Sequence, residues 1–269
     1  MNLGICPMAS SSSGNCYLIR SNRTYILLDA GISCAAVNKN LEMMDVKFWE
    51  MNGIVLTHEH IDHVRGASAY CKKSNRQSFY VTEGTIKALE EKGKEIPRER
   101  VEIIKGGSDF NIGDIEVKAF CVSHDAREPV GYSFMRNGKK ISVVTDTGMI
   151  TEEIERAIQD SDILIIEANH EENILLYGRY PYHVKHRILS NKGHLSNEAA
   201  GKCIADFLER LSFPKIPCIL LAHLSGENNT PQQAMLTVSN ILEERGFYVG
   251  KHLKLSVIHP KEMGDLVTV

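Results

Sequence analysis

The stretch Thr57-His58-Glu59-His60-Ile61-Asp62-His63 constrains this chain more than any other. It follows Gly53-Ile54-Val55-Leu56, an apolar run that reads as a short buried strand, so the histidines stand at a strand's C-terminal end. His58, His60, Asp62 and His63 place four ligand-type side chains within six residues. That density is wrong for one helical face and asks for a turn that aims successive side chains inward. Imidazole and carboxylate together suit zinc, manganese or iron rather than calcium. The bland alternative is a solvated polar loop, the usual fate of a single histidine. Four ligand types in this order argue against it.

Composition narrows the setting. A chain of 269 residues with 43% hydrophobic content can bury a full core. No linker or low-complexity tract divides it, so residues 1–269 are expected to form a single domain. The net charge of −3 gives no global basic field, and any nucleic acid must be held by a local patch. Seven scattered cysteines without a C-x-x-C pair read as reduced thiols of a cytoplasmic protein. No apolar run reaches membrane-spanning length, and the N-terminus has no signal-like core, so no membrane partner is expected.

Other strand ends repeat the theme. A loop Ala9–Asn15 is expected before a strand Cys16–Ile19, with small side chains and open backbone N–H groups suited to an anion. A strand through Leu28 ends at Asp29-Ala30-Gly31, followed by a short helix over 33–45. Val64 to Lys73 reads as a helix, Ser78 to Thr82 as a strand and Thr85 to Lys94 as an amphipathic helix. Strands follow at Val101–Lys105 and Glu116–Val122, the second ending on Ser123-His124-Asp125. The Asn137-Gly138 pair predicts a tight hairpin between Gly131–Arg136 and Lys139–Thr145, ending on Asp146-Thr147-Gly148. Tyr25–Gly31 and Ser142–Gly148 echo one another, and each leads through a helical stretch to another apolar strand; two similar halves are implied. Residues 171–195 lack periodicity. Ser196 starts a helix to about Leu211, Cys218–His223 is a strand ending in histidine, and Thr230-Pro231-Gln232-Gln233 opens another helix. A last strand is expected near Leu253–Ile258.

His or Asp at four strand ends is what a dinuclear hydrolase needs. The T-H-x-H-x-D-H signature, the later His124, Asp146 after a hairpin and the final His223 resemble the metallo-β-lactamase superfamily, over nearly the whole chain. The resemblance implies an α/β fold, the αββα four-layer sandwich. It also implies two divalent metal ions, Mn2+ or Zn2+ with iron as a third candidate. His58, His60 and His124 would hold one ion, and Asp62, His63 and His223 the other. Asp146 would bridge them, Asp29 would orient the histidine loop, and Asp62 would also count as catalytic.

Three further stretches narrow the branch: Ala9–Cys16, Glu167-Ala168-Asn169-His170, and Arg179–His183 through Gly193-His194-Leu195-Ser196-Asn197-Glu198. They are similar to the compact bacterial exonucleases of the YycJ/WalJ type, although that family's first loop often has glycine where Ser11 stands. This resemblance implies a 5′→3′ exonuclease on double-stranded DNA, linked to mismatch repair and using a hydroxide shared by the two metals. His194 is the candidate general acid, with a structural role in helix entry as its alternative. Arg179, Tyr182, His183, Lys185 and Arg187 are candidates to grip phosphates and stack a base. Ser12, Ser13 and Asn15 would bind a terminal 5′-phosphate or line the metal pocket. Competing readings are a small-molecule phosphodiesterase or other metallo-hydrolase of the same fold, a mono-iron dioxygenase and a non-catalytic signalling partner. The complete ligand set argues against the last, since unused buried polar groups are costly.

Overall fold

Strands that are apolar on both faces must be covered on both, and that requirement sets the architecture. A computed structural model describes residues 3–73, 76–94, 96–260 and 262–269. Its first half runs β1 (Gly4–Ser11), β2 (Gly14–Arg20), β3 (Tyr25–Leu28), α1 (Cys34–Met43), β4 (Gly53–Val55), α2 (Ile61–Val64), α3 (Ala67–Lys73), β5 (Ser78–Thr82), α4 (Glu83–Glu91) and β6 (Val101–Ile104). The second half continues with β7 (Asp109–Ile112), β8 (Ile115–Cys121), β9 (Val130–Arg136), β10 (Lys139–Val144), α5 (Glu152–Ile158), β11 (Ile163–Glu167), α6 (Glu172–Tyr177) and α7 (Tyr182–Ile188). It closes with α8 (Asn197–Glu209), β12 (Cys218–Ala222), α9 (Pro231–Glu244), β13 (Lys254–Val257) and β14 (Val267–Thr268).

Two seven-stranded sheets result, ordered β14-β1-β2-β3-β4-β5-β6 and β7-β8-β9-β10-β11-β12-β13. Read in those orders, each begins with three antiparallel pairings and ends with three parallel ones. β3 and β10 therefore hold the same place, where pairing switches sense. This is the three-dimensional form of the echo between Tyr25–Gly31 and Ser142–Gly148.

Period-two alternation distributes the side chains. Ile26 and Leu28 of β3 join Ile141 and Val143 of β10 and Ile163 and Ile165 of β11 in one core between the sheets. Leu27 and Ile54 pack instead with Leu41, Tyr70 and Ile86 from the helices of the first half. Val144, Leu164 and Ile166 pack with Ile154, Ile204 and Val238 of α5, α8 and α9. The layers are helix, sheet, sheet, helix, the αββα sandwich of the sequence expectation. The Ser196 and Thr230 hydroxyls accept from the backbone N–H groups of Ala199 and Gln233, capping α8 and α9.

Several local expectations need correction. The Ala9–Asn15 loop is mostly strand, and only Ser12 and Ser13 lie between β1 and β2. The Asn15 amide closes that turn, accepting from Ser11 N at 3.1 Å and donating to Ser11 O at 3.0 Å. The helix expected over Val64–Lys73 is two pieces, broken where Gly66 N donates to Ala30 O at 2.7 Å. Residues 171–195 contain two short helices, α6 and α7, despite their weak periodicity. β14 pairs with β1 over two residues, too short a segment for sequence pattern to mark.

Gly31 tests how tightly the sheet ends are assembled. A Cβ there would lie 1.7 Å from Asp62 O and 2.4 Å from Asn15 N. Gly31→Ala should therefore destabilise the protein by about 1–3 kcal/mol or more, the usual cost of forced overpacking. Gly226→Ala, where nothing lies within 4 Å, should stay within about 0.5 kcal/mol of the parent. Urea midpoints of the two variants check the contrast.

Candidate metal centre and its cavity

The site is built where strands stop. Asp29, Asp146 and His223 follow β3, β10 and β12, and all three take left-handed backbone conformations, with φ of 62°, 57° and 55°. Such conformations cost on the order of 1–3 kcal/mol each in non-glycine residues and persist only where surroundings hold them. Here they turn the chain sharply enough to aim each side chain across the strand ends. α2 supplies the rest: it begins after His60, and its first turn carries Asp62 and His63.

Hydrogen bonds at Nδ1 fix which nitrogen each histidine offers. His63 Nδ1 lies 2.7 Å from Asp29 Oδ2, and His223 Nδ1 lies 2.7 Å from Glu167 Oε1. His124 Nδ1 lies 3.0 Å from Gly193 O, and His58 Nδ1 lies 3.0 Å from Thr57 Oγ1. Thr57 itself donates through N and Oγ1 to Asp29 Oδ1, at 2.9 and 3.0 Å. With a proton at each Nδ1, the four rings present Nε2 lone pairs toward a common centre. His60 differs, turning Nδ1 to within 3.2 Å of His124 Nε2.

Among the described residues, four sets of such atoms each lie within 4.8 Å of one another. One is His58, His60 and His124; another is Asp62, His63 and His223; a third joins His58 and His63 to Asp146; the fourth joins Asp146, Glu167, His194 and His223. His63 Nε2 is 3.4 Å from Asp62 Oδ2 and 3.2 Å from Asp146 Oδ2, and His223 Nε2 is 3.6 Å from Asp146 Oδ1. A tetrahedral ion with nitrogen ligands at about 2.0–2.1 Å separates its ligand atoms by about 3.3–3.4 Å, so these spacings fit divalent cations. Among the described residues the buried His58 Nε2 has no hydrogen-bond partner, and the buried Asp146 Oδ2 has none either, although it faces His63 Nε2 at 3.2 Å. Orphaned acceptors aimed at a shared point are what a cation would satisfy.

Charge follows the same plan. Burial would raise the Glu167 pKa, but His194 and His223 overcome it and hold the carboxyl at about 2. Burial likewise works against the Asp62 carboxylate, and the His63 charge with bonds from His223 and His63 outweighs it. His58 is pushed well below the ordinary histidine value by burial and then by His63, which keeps its ring neutral.

The cluster forms the floor of a cavity of about 590 Å³. Of the remaining residues singled out from sequence, Ser12, Arg187 and His194 line it. Asn15 lies beneath, its amide 3.0 Å from His63 Nε2 and bonded to the Ser11 backbone. Ser13 is exposed and pairs with Ser11 Oγ at 2.8 Å. Tyr182 and Lys185 line a separate depression with His186 on the other side of α7. Helical spacing explains this, since Val184, Arg187 and Ile188 face the cavity and residues offset from them face away. Arg179 and His183 are exposed and border neither. His194 Nδ1 lies 2.7 Å from Glu167 Oε1, an oxygen it shares with His223. Sequence reasoning missed Glu167, Thr57, Lys92 and Lys94. A charged residue ending the apolar run Ile163–Ile166 was the available signal for Glu167; the lysines sit in an ordinary helix end and gave none.

Comparison with known proteins agrees with this geometry. A family model described as a beta-lactamase superfamily domain matches residues 24–214. The Bacillus anthracis exodeoxyribonuclease YycJ is 36% identical, over 97% of this chain and 97% of its own. The exodeoxyribonuclease WalJ of Streptococcus pneumoniae serotype 2 is 35% identical, over 97% of this chain and 96% of its own. Among solved structures, the metallo-beta-lactamase fold protein YhfI from Bacillus subtilis aligns over 99% of both chains with a TM-score of 0.73 and 12% identity, a likeness of fold alone.

Two substitutions separate the layers of this site. Asp146→Asn should abolish turnover and lower metal content, because a neutral amide is a poor ligand; elemental analysis with an activity assay checks it. Glu167→Gln should cost about 10–100-fold in metal affinity or activity, the usual effect of disturbing a group that orients a metal-binding histidine. Metal titration of the stripped variant measures it.

Proposed function

Because the chain belongs to the metallo-β-lactamase superfamily, we propose that it is a metal-dependent exodeoxyribonuclease that hydrolyses the phosphodiester backbone of DNA. One observation carries the reading. Two clusters of ligand atoms, one of His58, His60 and His124 and one of Asp62, His63 and His223, meet at Asp146, which lies 3.8 Å from His124 and 3.2 Å from His63. The cavity above them is lined by His194, bonded to the buried Glu167. The two relatives named exodeoxyribonucleases, matched over almost their full length, support the substrate class. The finer reading is a 5′→3′ exonuclease on double-stranded DNA with a place in mismatch repair, using manganese or zinc.

In this reading His58, His60 and His124 hold one divalent ion, Asp62, His63 and His223 hold the other, and Asp146 lies between them. The ligands come from both sheets, so the reading also takes residues 1–269 as one domain. The bound ions would supply Lewis acidity toward the phosphoryl oxygens and lower the pKa of an attacking water. Asp29 and Glu167 keep His63 and His223 in the tautomer that leaves Nε2 free. Ser12 and Arg187 border the space a substrate strand would enter. His194 is anchored at Nδ1 by Glu167, which leaves Nε2 to carry a proton to the departing 3′ oxygen. No helix among the described residues is long and apolar enough to cross a membrane.

End-labelled duplexes and single strands, with and without a 5′-phosphate, test the assignment in manganese, zinc and magnesium. The expected result is mononucleotide release from the 5′ ends of duplexes. A protein that cleaves a small diester while leaving every labelled strand intact would overturn the nuclease reading. His194→Ala should slow cleavage by roughly a hundredfold or more while metal content stays unchanged. A substrate whose leaving group needs no proton should recover most of that loss; without such recovery, His194 is a structural turn residue.

A further inference from the structure

The cations lining the cavity are Lys92, Lys94 and Arg187. Arg187 is already paired, with Nη1 2.9 Å from Asp125 Oδ2. The two lysines form no ion pair among the described residues, and Lys92 Nζ reaches a carbonyl, Glu59 O, at 3.5 Å. Their placement is built into the end of α4. Lys92 caps the helix, Gly93 turns left-handed with φ of 67°, and the N–H groups of Gly93 and Lys94 return to Glu90 O and Leu89 O, both at 2.9 Å. That reversed bonding is the Schellman arrangement, and it swings Lys94 back beside Lys92 on the cavity wall. Partial burial lowers the Lys94 pKa, and the neighbouring Lys92 and Arg65 charges lower it further. Two lysines gathered at one edge of the cavity, without an ion pair among the described residues, mark a local electropositive patch on a chain with net charge −3.

We propose that Lys92 and Lys94 form a phosphate-binding subsite on the α4 wall of the cavity, gripping the DNA backbone beside the diester being cut. The inference rests on the nuclease reading above. It moves the main polyanion contact away from the Arg179–Lys192 segment, where Arg187 is neutralised by Asp125 and Lys185 faces elsewhere. Substrate DNA then lies along α4, with α7 as the opposing wall.

Duplex binding measured across a salt series tests this, with Lys92→Gln/Lys94→Gln beside the parent, Lys92→Arg/Lys94→Arg and Lys185→Gln. Losing two phosphate contacts should reduce the slope of log Kd against log salt by about 1.8 and weaken low-salt binding by tenfold or more. The double arginine variant should restore both, Lys185→Gln should resemble the parent, and hydrolysis of bis(p-nitrophenyl) phosphate should stay within twofold. An unchanged slope in the glutamine variant, with parent binding intact, overturns the subsite. Equal losses on duplex and small diester overturn it as well, because the lysines would then shape the metal pocket. A parent protein with no affinity for duplex overturns the nuclease reading, and the subsite falls with it.

Discussion

His63 is clamped between two aspartates, and the rest of the site depends on that clamp. Its Nδ1 meets Asp29 at 2.7 Å and its Nε2 faces Asp146 at 3.2 Å, in a position fully excluded from solvent. Burial by itself would strip the ring of its proton, yet the surrounding carboxylates, Asp146 foremost, push its pKa well above the ordinary value. Without a metal, the imidazolium balances carboxylates that would otherwise be buried and unpaired, which is costly. With a cation in the cluster the ring is free to be neutral, and the same geometry serves as ligand and support. One arrangement thus satisfies both folding and chemistry.

The two aspartates of the clamp occupy equivalent places. Each follows the strand at which its sheet changes from antiparallel to parallel pairing, and each has the same left-handed backbone. Crevices at the carboxyl ends of strands, where the topology switches, are the general location of ligand sites in α/β sheets. Face-to-face packing brings two such places together. The equivalence stops at the side chain: Asp29 is bonded to Thr57 and His63, whereas Asp146 Oδ2 makes no close hydrogen bond among the described residues and only faces His63 Nε2 at 3.2 Å. Repetition made the frame, and divergence separated support from ligand.

Around this acidic, histidine-rich floor the walls are unequal. The α7 wall offers Arg187, paired with Asp125, and the α4 wall offers two lysines that form no ion pair among the described residues. Positive charge beside a floor of metal-ligand side chains would suit a polyanion that extends past its reacting group, with one phosphate at the floor and its neighbours at the wall.

The sequence by itself determined the fold class and the chemistry of the floor. Metal-type ligands sit on short local motifs at strand ends, and Thr57–His63, His124, Asp146 and His223 are legible because each follows an apolar run whose period is local. The two-half organisation was legible for the same reason, from the repeated Asp-x-Gly. What required the tertiary structure was everything decided by which face a side chain takes and what it meets. Ser10, Ser11 and Asn15 look like a loop, yet they are held as strand by bonds that include distant residues such as His223 and His63. Glu167 becomes an orienting group only once the chain folds back to set it beside His194 and His223. Tyr182 and Lys185 share a segment with Arg187 but turn away from the cavity, and Lys92 and Lys94, remote in sequence from the ligands, turn toward it. Periodicity encodes that a helix has two faces; only packing chooses which one looks into the site.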